Sequence, residues 1–263
     1  MRIVGIDLAW GDRKPDGLAL IEASSTGQAV LSQTAYPHGD AELMSCVQRL
    51  VGTGASILAL DGPIICRNEA GGRPVDWETH RQYGQAHAGC YPANLTRCPR
   101  PNNLRLKLED TDFLTDFEMQ MPRQVCEEEG KPFRRLIEVY PHPATLALFN
   151  LNQIIRYKKG LAKERGRELQ RFQRLLHESL SRVVPPVCIN DAIRSMFEED
   201  PGPLRGTARK RREDTLDAVV CALVGWIHWW HGAERSQVLG DLETGFIVVP
   251  KRNGVVGDAW TTS

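Results

Sequence analysis

Acidic residues interrupt four otherwise apolar segments of this chain. They are Asp7, Asp61, Glu138 and the pair Asp214 and Asp217. An ionised carboxylate loses solvation free energy when it is buried, unless it is paired, hydrogen-bonded or bound to a metal ion. If the four segments pack together, their carboxylates converge, and clustered oxygen ligands bind hard divalent cations. These residues therefore predict a metal-dependent catalytic site.

The position of each acid within its predicted element indicates where its side chain points. Alternation along the first strand puts Gly5, Asp7 and Ala9 on one face, and the two small residues leave space beside the carboxylate. Asp61 comes directly before a Gly-Pro pair, so we expect it at the carboxyl end of its strand. Proteins of the α/β class bind their ligands at such strand ends.

Each acid also has a structural interpretation. In the first turn of a helix, Asp214 can cap the helix or interact favourably with its dipole. A strand acid such as Asp7 or Glu138 can accept structural hydrogen bonds. Asp217 shares a helix face with Asp214 and is harder to explain in this way. The coincidence of four such elements favours a shared cation site over separate structural roles.

The hydrophobic pattern predicts a mixed α/β fold in a single domain, residues 1–263, with a long helical insertion at residues 64–132 that covers the site. Strands are predicted at residues 3–9, 17–23, 29–35, 56–61, 136–140 and 245–250. Helices are predicted at residues 40–51, 77–88, 110–129, 144–149, 161–183, 190–198 and 213–231. The first three strands are expected to be antiparallel and the last to be an edge strand. A loop rich in Pro, Gly and Arg, residues 200–212, precedes the last helix.

The composition limits the possible partners and locations. The chain has 263 residues, 41% of them hydrophobic, which is enough for a full core. Lys plus Arg equals Asp plus Glu at 33 each, so any site for a polyanion must be local. Seven widely spaced cysteines, and a first segment that resembles a strand instead of a signal peptide, predict a cytoplasmic protein. No apolar run reaches the ~20 residues of a membrane span.

Two basic clusters accompany the acids. The first precedes the last helix and consists of Arg205, Arg209, Lys210, Arg211 and Arg212. The second consists of Lys158, Lys159, Lys163, Arg165 and Arg167. Residues 209–212 together with Lys158 and Lys159 are predicted to bind substrate phosphates. The alternative for both clusters is a solvated surface.

Five short motifs are spread along the chain. They are GIDLAW at residues 5–10, DGP at 61–63, IEVYPHP at 137–143, YKKG at 157–160 and DTLDA at 214–218. Together they resemble the domain of unknown function 429 family, whose members are predicted ribonuclease H-like nucleases. The resemblance implies a ribonuclease H-like mixed sheet, three antiparallel strands and then parallel strands, flanked by helices. It also implies that Asp7, Asp61, Asp214 and Asp217 bind metal, the D-x-x-D pair being most similar to Holliday junction resolvases.

The implied reaction is phosphodiester hydrolysis with two divalent cations, Mg²⁺ or Mn²⁺, and nucleic acid is the expected partner. Asp7 would bridge the ions, Asp61 would complete the shell of one, and Asp214 with Asp217 that of the other. Glu138 is a further catalytic candidate without a counterpart among those ligands. Two alternatives remain open. One is hydrolysis of a nucleotide or small phosphate ester, and the other is a non-catalytic binding module whose acids are structural.

Other chemistry-bearing residues give weaker predictions. His142 lies between two prolines and could act as a general acid or base, or form a structural hydrogen bond. A zinc site is disfavoured because the nearby His and Cys residues follow no regular zinc spacing. These residues are His80, His87, Cys90 and Cys98. The absence of a Gly-rich phosphate-loop motif argues against a P-loop enzyme.

Overall fold

The computed structural model describes residues 1–11, 13–118, 127–128 and 130–252. Its strands are β1 (Arg2–Asp7), β2 (Gly17–Ala23), β3 (Ala29–Ala35), β4 (Ser56–Asp61), β5 (Leu114–Thr115), β6 (Glu127–Glu128), β7 (Lys131–Pro132), β8 (Arg134–Val139), β9 (Val187–Ile189), β10 (Ser236–Asp241) and β11 (Gly245–Pro250). Its helices are α1 (Gly39–Val51), α2 (Pro74–Tyr83), α3 (Pro99–Glu109), α4 (Pro141–Leu148), α5 (Ala162–Arg182), α6 (Asp191–Glu198) and α7 (Gly206–His231). Among the helices of these ranges, none is both long and apolar enough to cross a bilayer.

Most of the strands join one mixed sheet. Its order is β10-β11-β8-β4-β1-β2-β3-β9, and the short β5 also pairs with β8. The pairs β1–β2, β2–β3 and β10–β11 are antiparallel. The pairs β1–β4, β4–β8, β8–β11 and β3–β9 are parallel. The predicted mixed α/β fold, with an antiparallel part followed by parallel strands and flanked by helices, is confirmed.

The central strands are enclosed on both faces. β1 lies between β2 and β4, and its residues Ile3, Val4 and Ile6 are fully buried. A continuous apolar run is typical of a strand that is covered on both sides. Asp7 and Asp61 come at the ends of such strands and are half-buried, so they lie where the core meets solvent.

Helix α7 packs directly on the first two strands. A Cβ atom added at Gly5 would overlap the carbonyl oxygen of Ala218 and the amide nitrogen of Ala222. One added at Gly17 would overlap the carbonyl of Asp214. Glycine is required at both positions because it lets helix and strand backbones touch. This close contact places the start of α7 next to β1.

The loop predicted at residues 200–212 is wrong in its second half. α7 begins at Gly206 instead of residue 213. Arg209 pairs with Glu213, and Lys210 pairs with Asp214, each four residues further along. Ion pairs at this spacing stabilise a helix, so the basic residues belong to the helix that carries the acids.

The helix predicted at residues 110–129 is also wrong where the structure describes it. α3 ends at Glu109, and Asp112 adopts a left-handed φ of 68°, which ends the helical path. The next residues, Leu114–Thr115, pair with β8. Residues 119–126 and 129 of that prediction lie outside the described ranges. The helix predicted at 77–88 is α2, which begins and ends earlier.

The edge of the sheet differs from the prediction. β11 lies between β8 and β10 and is therefore not an edge strand. The edge strand is β10, whose sequence SQVLGD has too few apolar residues to predict a strand. The other edge is β9, which has only three residues. β10 and β9 form strands because they pair with β11 and β3, and not because their residue patterns favour a strand.

Replacing Gly5 by alanine should destabilise the protein strongly. The added Cβ meets backbone atoms of α7, which cannot rotate away as a side chain would. Overpacking a core costs about 1–3 kcal/mol, and we expect the upper end of that range. Urea unfolding measures the effect. The control is Gly54→Ala, where an added Cβ meets no atom within 4 Å, and equal midpoints for the two variants would contradict the close packing.

Candidate active site

Asp7 and Asp61 lie side by side at the carboxyl ends of β1 and β4. The two strands are parallel and in register, with Asp7 directly opposite Asp61. Neighbouring strands are about 4.8 Å apart, and paired residues point to the same face. The structure thus brings together the first two acids that the sequence predicted to converge.

Helix α7 places Asp214 and Asp217 next to this pair. Gly17, which is opposite Asp7 in the β1–β2 register, lies against the backbone carbonyl of Asp214. Asp214 and Asp217 are almost fully buried. The acids of three separate elements therefore meet at one end of the sheet.

Burial and the charges of neighbouring acids raise the pKa values of the two strand carboxylates. Burial raises the pKa of Asp7 well above its usual range, although the charge of Lys158 lowers it. The carboxylates of Asp217, Asp61 and Asp214 add to the upward shift. The pKa of Asp61 is raised to about 8, first by burial and then by the charge of Asp217. In the part of the chain that the structure describes, neither strand carboxylate accepts a hydrogen bond or pairs directly with a cation.

Asp217 is held by two consecutive residues of the loop between α4 and α5. Its Oδ1 accepts a hydrogen bond from the hydroxyl of Tyr157 at 2.5 Å, and its Oδ2 lies 2.5 Å from Nζ of Lys158. Tyr157 is buried, whereas 36% of the Lys158 side chain is exposed. Burial lowers the pKa of Lys158, but the charge of Asp217 outweighs it and the pKa is raised. The predicted phosphate ligand Lys158 is placed on the acid cluster itself.

Asp214 has similar surroundings. Its Oδ2 accepts a hydrogen bond from the hydroxyl of Tyr36 at 2.9 Å, and its Oδ1 pairs with Lys210. Lys210 lies one helical turn before Asp214, as its spacing allows. Neither Tyr36 nor Tyr157 is predicted from the sequence. Tyr36 is separated from Asp214 by 178 positions, and no local pattern connects them.

Glu138 does not join this cluster. It is opposite Leu60 in the β4–β8 register, so alternation points it to the other face of the sheet from Asp61. There Nη1 and Nη2 of Arg73 donate to its two oxygens at 2.8 and 2.6 Å. Arg73 also pairs with Asp76 at 2.9 Å. Glu138 is therefore held in a buried network that joins β8 to α2, but it lines the same narrow cleft as Asp61 and its charge raises the pKa of Asp61.

Two of the predicted substrate-binding arginines make structural bonds instead. Arg209 is buried, pairs with Glu213 at 2.8 Å and donates to the carbonyl of Tyr157 at 3.1 Å. Arg212 donates to the side-chain oxygen of Gln173 at 2.8 Å and to a backbone carbonyl of α6. These bonds hold α7 against its neighbours. The prediction treated the segment as a loop. In a helix, consecutive side chains point in different directions, so some of the basic side chains point into the protein.

The remaining predicted basic residues lie beside tyrosines. Arg211 is exposed, and its guanidinium lies 5.5 Å from the centre of the Tyr36 ring. Lys159 donates to the hydroxyl of Tyr91 at 3.0 Å. Neither contacts the acids, in contrast to Lys158 and Lys210.

Two clefts open beside the acids. The larger, about 440 Å³, is lined by residues that include Asp7, Trp10, Arg13, Lys14, Lys210 and Asp214. The narrower, about 50 Å³, is lined by residues that include Trp10, Asp61, Tyr91 and Tyr140. Trp10 borders both clefts, so it lies between the Asp7 side and the Asp61 side. A cavity of about 470 Å³ next to α5 contains none of the site acids.

The acid oxygens do not form a complete metal cage in this arrangement. Within the described ranges, no three His, Cys, Asp or Glu side chains converge closely enough to hold a metal ion. Lys158 and Lys210 form ion pairs with the two α7 aspartates, Asp217 and Asp214.

Burial lowers the pKa of His142 to about 4. This side chain is therefore neutral near pH 7 and carries no positive charge near the acids.

The fold and the site define a mixed α/β protein with clustered aspartates at the carboxyl end of its central strands. The sequence profile of the family described as "Protein of unknown function (DUF429)" matches residues 5–243, and the chain belongs to that family. The matched range includes Asp7, Asp61, Asp214, Asp217 and Lys158. No curated protein and no solved structure matches the chain. The resemblance seen in the short motifs is confirmed at the level of the family.

In metal-free buffer the protein should lose stability as the pH rises from 4 toward 8. The pKa of Asp61 is about 8 in the folded protein against an ordinary value of 3.8. Between these values the folded state holds the proton more tightly than the unfolded state, so the free energy of unfolding falls by up to about 1.4 kcal/mol per pH unit. Asp61→Asn cannot ionise and should show a shallower fall. Thermal melts in EDTA measure both slopes, and parallel slopes would contradict this assignment.

Proposed function

We propose that this protein is a divalent-metal-dependent phosphodiester hydrolase, a nuclease, with its active site at Asp7 and Asp61. One observation carries the proposal. Two half-buried carboxylates lie side by side, and no described residue donates a hydrogen bond or a direct ion pair to either. Like charges in a poorly hydrated site repel each other, so near pH 7 the pair must either keep its protons, as the raised pKa values indicate, or bind a cation.

The donor set fits Mg²⁺ or Mn²⁺. Both ions favour carboxylate oxygens, and Mg²⁺ keeps several waters when it binds. Asp7 and Asp61 would hold the first ion, and Asp217 with Asp214 would complete a two-metal site when their lysines withdraw. When bound, such ions supply an activated water and stabilise the leaving oxygen of an in-line displacement.

The chain's own side chains prepare the α7 aspartates for this role. Tyr157 binds one oxygen of Asp217 and Lys158 binds the other. Tyr36 and a lysine divide the oxygens of Asp214 in the same way. The tyrosines orient the carboxylates, and the lysine ammonium groups neutralise the oxygens that a metal ion would otherwise take. The side chain of Lys158 is 36% exposed, so its ammonium group has access to solvent when a metal ion replaces it.

The order of the elements supports a ribonuclease H-like architecture. Three antiparallel strands begin with the GIDLAW motif, and a helix and a parallel strand that ends in Asp61 follow. The long helix α7 then carries the last acids. These are the elements on which the resemblance to ribonuclease H-like nucleases rests, and they favour a nucleic acid as the substrate.

A second candidate is hydrolysis of a nucleotide or another small phosphate ester. The cleft beside Asp7 has a volume of about 440 Å³, within the ~300–1,000 Å³ of small-molecule sites. The net charge of zero also provides no general attraction to a polyanion.

Asp7→Asn should abolish a metal-dependent hydrolysis without unfolding the protein. We expect a loss of roughly 100-fold or more, because even groups that only support metal ligands contribute 10–100-fold. The melting temperature in EDTA should not fall, since asparagine keeps the size of the side chain and removes a group whose ionisation burial disfavours. Cleavage of labelled DNA and RNA strands with Mg²⁺ or Mn²⁺ is the assay. Asp191→Asn is the control, because that side chain is 91% exposed on α6.

The outcomes separate the candidate functions. Cleavage by Asp7→Asn at the wild-type rate would exclude this site. Metal-dependent phosphate release from small esters, with polynucleotides left intact, would favour the second candidate. Neither activity, together with no change of melting temperature in Mg²⁺ or Mn²⁺, would leave a non-catalytic role.

Lys158→Met should increase the affinity of the site for Mn²⁺. The Lys158 ammonium neutralises Asp217 at 2.5 Å, so a divalent cation must compete with it. Hydrogen bonds to charged groups contribute about 1.5–3 kcal/mol, which corresponds to about tenfold or more in affinity. Electron paramagnetic resonance titration of free Mn²⁺ measures the constant. Lys159→Met, which changes the net charge equally at Tyr91, is the control, and weaker binding by Lys158→Met would exclude competition.

A further inference from the structure

Two basic residues in the turn between β1 and β2 line the larger cleft beside the acids. Arg13 and Lys14 line the same space as Asp7 and Asp214. Both are exposed, and the part of the chain with described positions offers no carboxylate within ion-pair distance of either. They are therefore available to an anionic ligand that enters this cavity.

The base of the turn is firmly anchored. Arg100 forms a two-point ion pair with the fully buried Asp16, at 2.9 and 2.6 Å. Arg100 also donates to the carbonyl of Ala9 at 2.7 Å, and the amide of Ala9 donates to Asp16 at 2.9 Å. Holding a binding loop in place before the ligand arrives reduces the entropy that binding costs.

Three other cations near the acids already have carboxylate partners. These pairs are Lys158 with Asp217, Lys210 with Asp214, and Arg209 with Glu213. A phosphate that approached them would compete with a carboxylate already in contact. Arg13 and Lys14 can bind a phosphate without breaking an ion pair to any carboxylate that the structure describes.

We propose that Arg13 and Lys14 bind phosphates of a single-stranded nucleic acid that crosses Trp10 from one cleft to the other. The inference rests on the proposed function, since the phosphate to be cleaved would lie at the aspartate pair. Trp10 borders both clefts, and Tyr91, which is 59% exposed, lines the second. Cations bind phosphates and exposed aromatic rings stack on unpaired bases. A duplex keeps its bases stacked on each other and cannot offer them to Trp10.

The test measures binding separately from hydrolysis. A fluorescein-labelled single strand is titrated with protein in Ca²⁺ over a series of salt concentrations, and anisotropy gives the dissociation constant. The variant Arg13→Gln/Lys14→Gln should weaken binding and lower the slope of log K against log salt by about 1.4, which is roughly 0.7 for each phosphate contact on a single strand. Trp10→Leu should weaken binding by about tenfold with little change of slope.

The matched control is Lys163→Gln/Arg167→Gln. It removes the same two charges from exposed positions on α5 that line neither of the two clefts. We expect it to change the dissociation constant less than twofold. Melting temperatures of all variants verify that each is folded.

Three results would overturn the inference. They are equal losses in the two double variants, no binding of single strands by the wild type, and binding of a mononucleotide as tight as that of the strand. Failure of the proposed function has a different signature. If strand binding depends on Arg13 and Lys14 but no substrate is hydrolysed, the binding surface is supported and the proposed hydrolase activity is contradicted. Metal-dependent hydrolysis, together with strand binding that is equal in the wild type and in Arg13→Gln/Lys14→Gln, would support the enzyme and contradict this surface.

Discussion

The site depends on two carboxylates that the sheet brings together in buried surroundings that disfavour their ionisation. In-register pairing of β1 with β4 puts Asp7 beside Asp61, and burial removes much of the water that would screen them. Contact between the backbones of α7 and β1 at Gly5 then brings two more aspartates to the same place. The surrounding tyrosines and lysines compensate the α7 acids. The strand acids have no direct hydrogen bond or ion pair among the described residues, although the charge of Lys158 lowers the pKa of both, and this difference is the reason to expect a cation.

Buried arginines attach the chain that follows β4 at both sides of this site. Arg73 pairs with Glu138 of β8, and Arg100 pairs with Asp16 in the β1–β2 turn. Both pairs are almost fully buried. A buried pair of this kind tolerates the loss of either partner poorly. Tyr91, which lies between the two arginines in the sequence, lines one cleft, and Arg100 supports the turn that carries Arg13 at the other.

Much of the fold is predictable because it follows from local patterns. The strands that carry Asp7 and Asp61 are short apolar runs bounded by turn residues, and both lie within a residue or two of the predicted limits. The acids stand out because apolar neighbours surround them. By contrast, α7 begins in a segment whose composition is typical of a loop. The ion pair between Arg209 and Glu213 stabilises the helix there. The edge strand β10 exists because β11 pairs with it, not because its residues favour a strand.

The amino-acid order alone is enough to determine which acids are candidates, since the cost of burying a charge applies wherever an acid enters an apolar run. It cannot determine which of them meet. Glu138 looks equivalent to Asp61 in sequence, yet a register one residue apart points it to the opposite face, where Arg73 binds it. The sequence likewise does not show that Lys158 contacts Asp217, or that Arg13 and Lys14 line the cleft beside Asp7. Contacts between distant segments are made by strand register and helix packing, and neither is written in the spacing of any one segment.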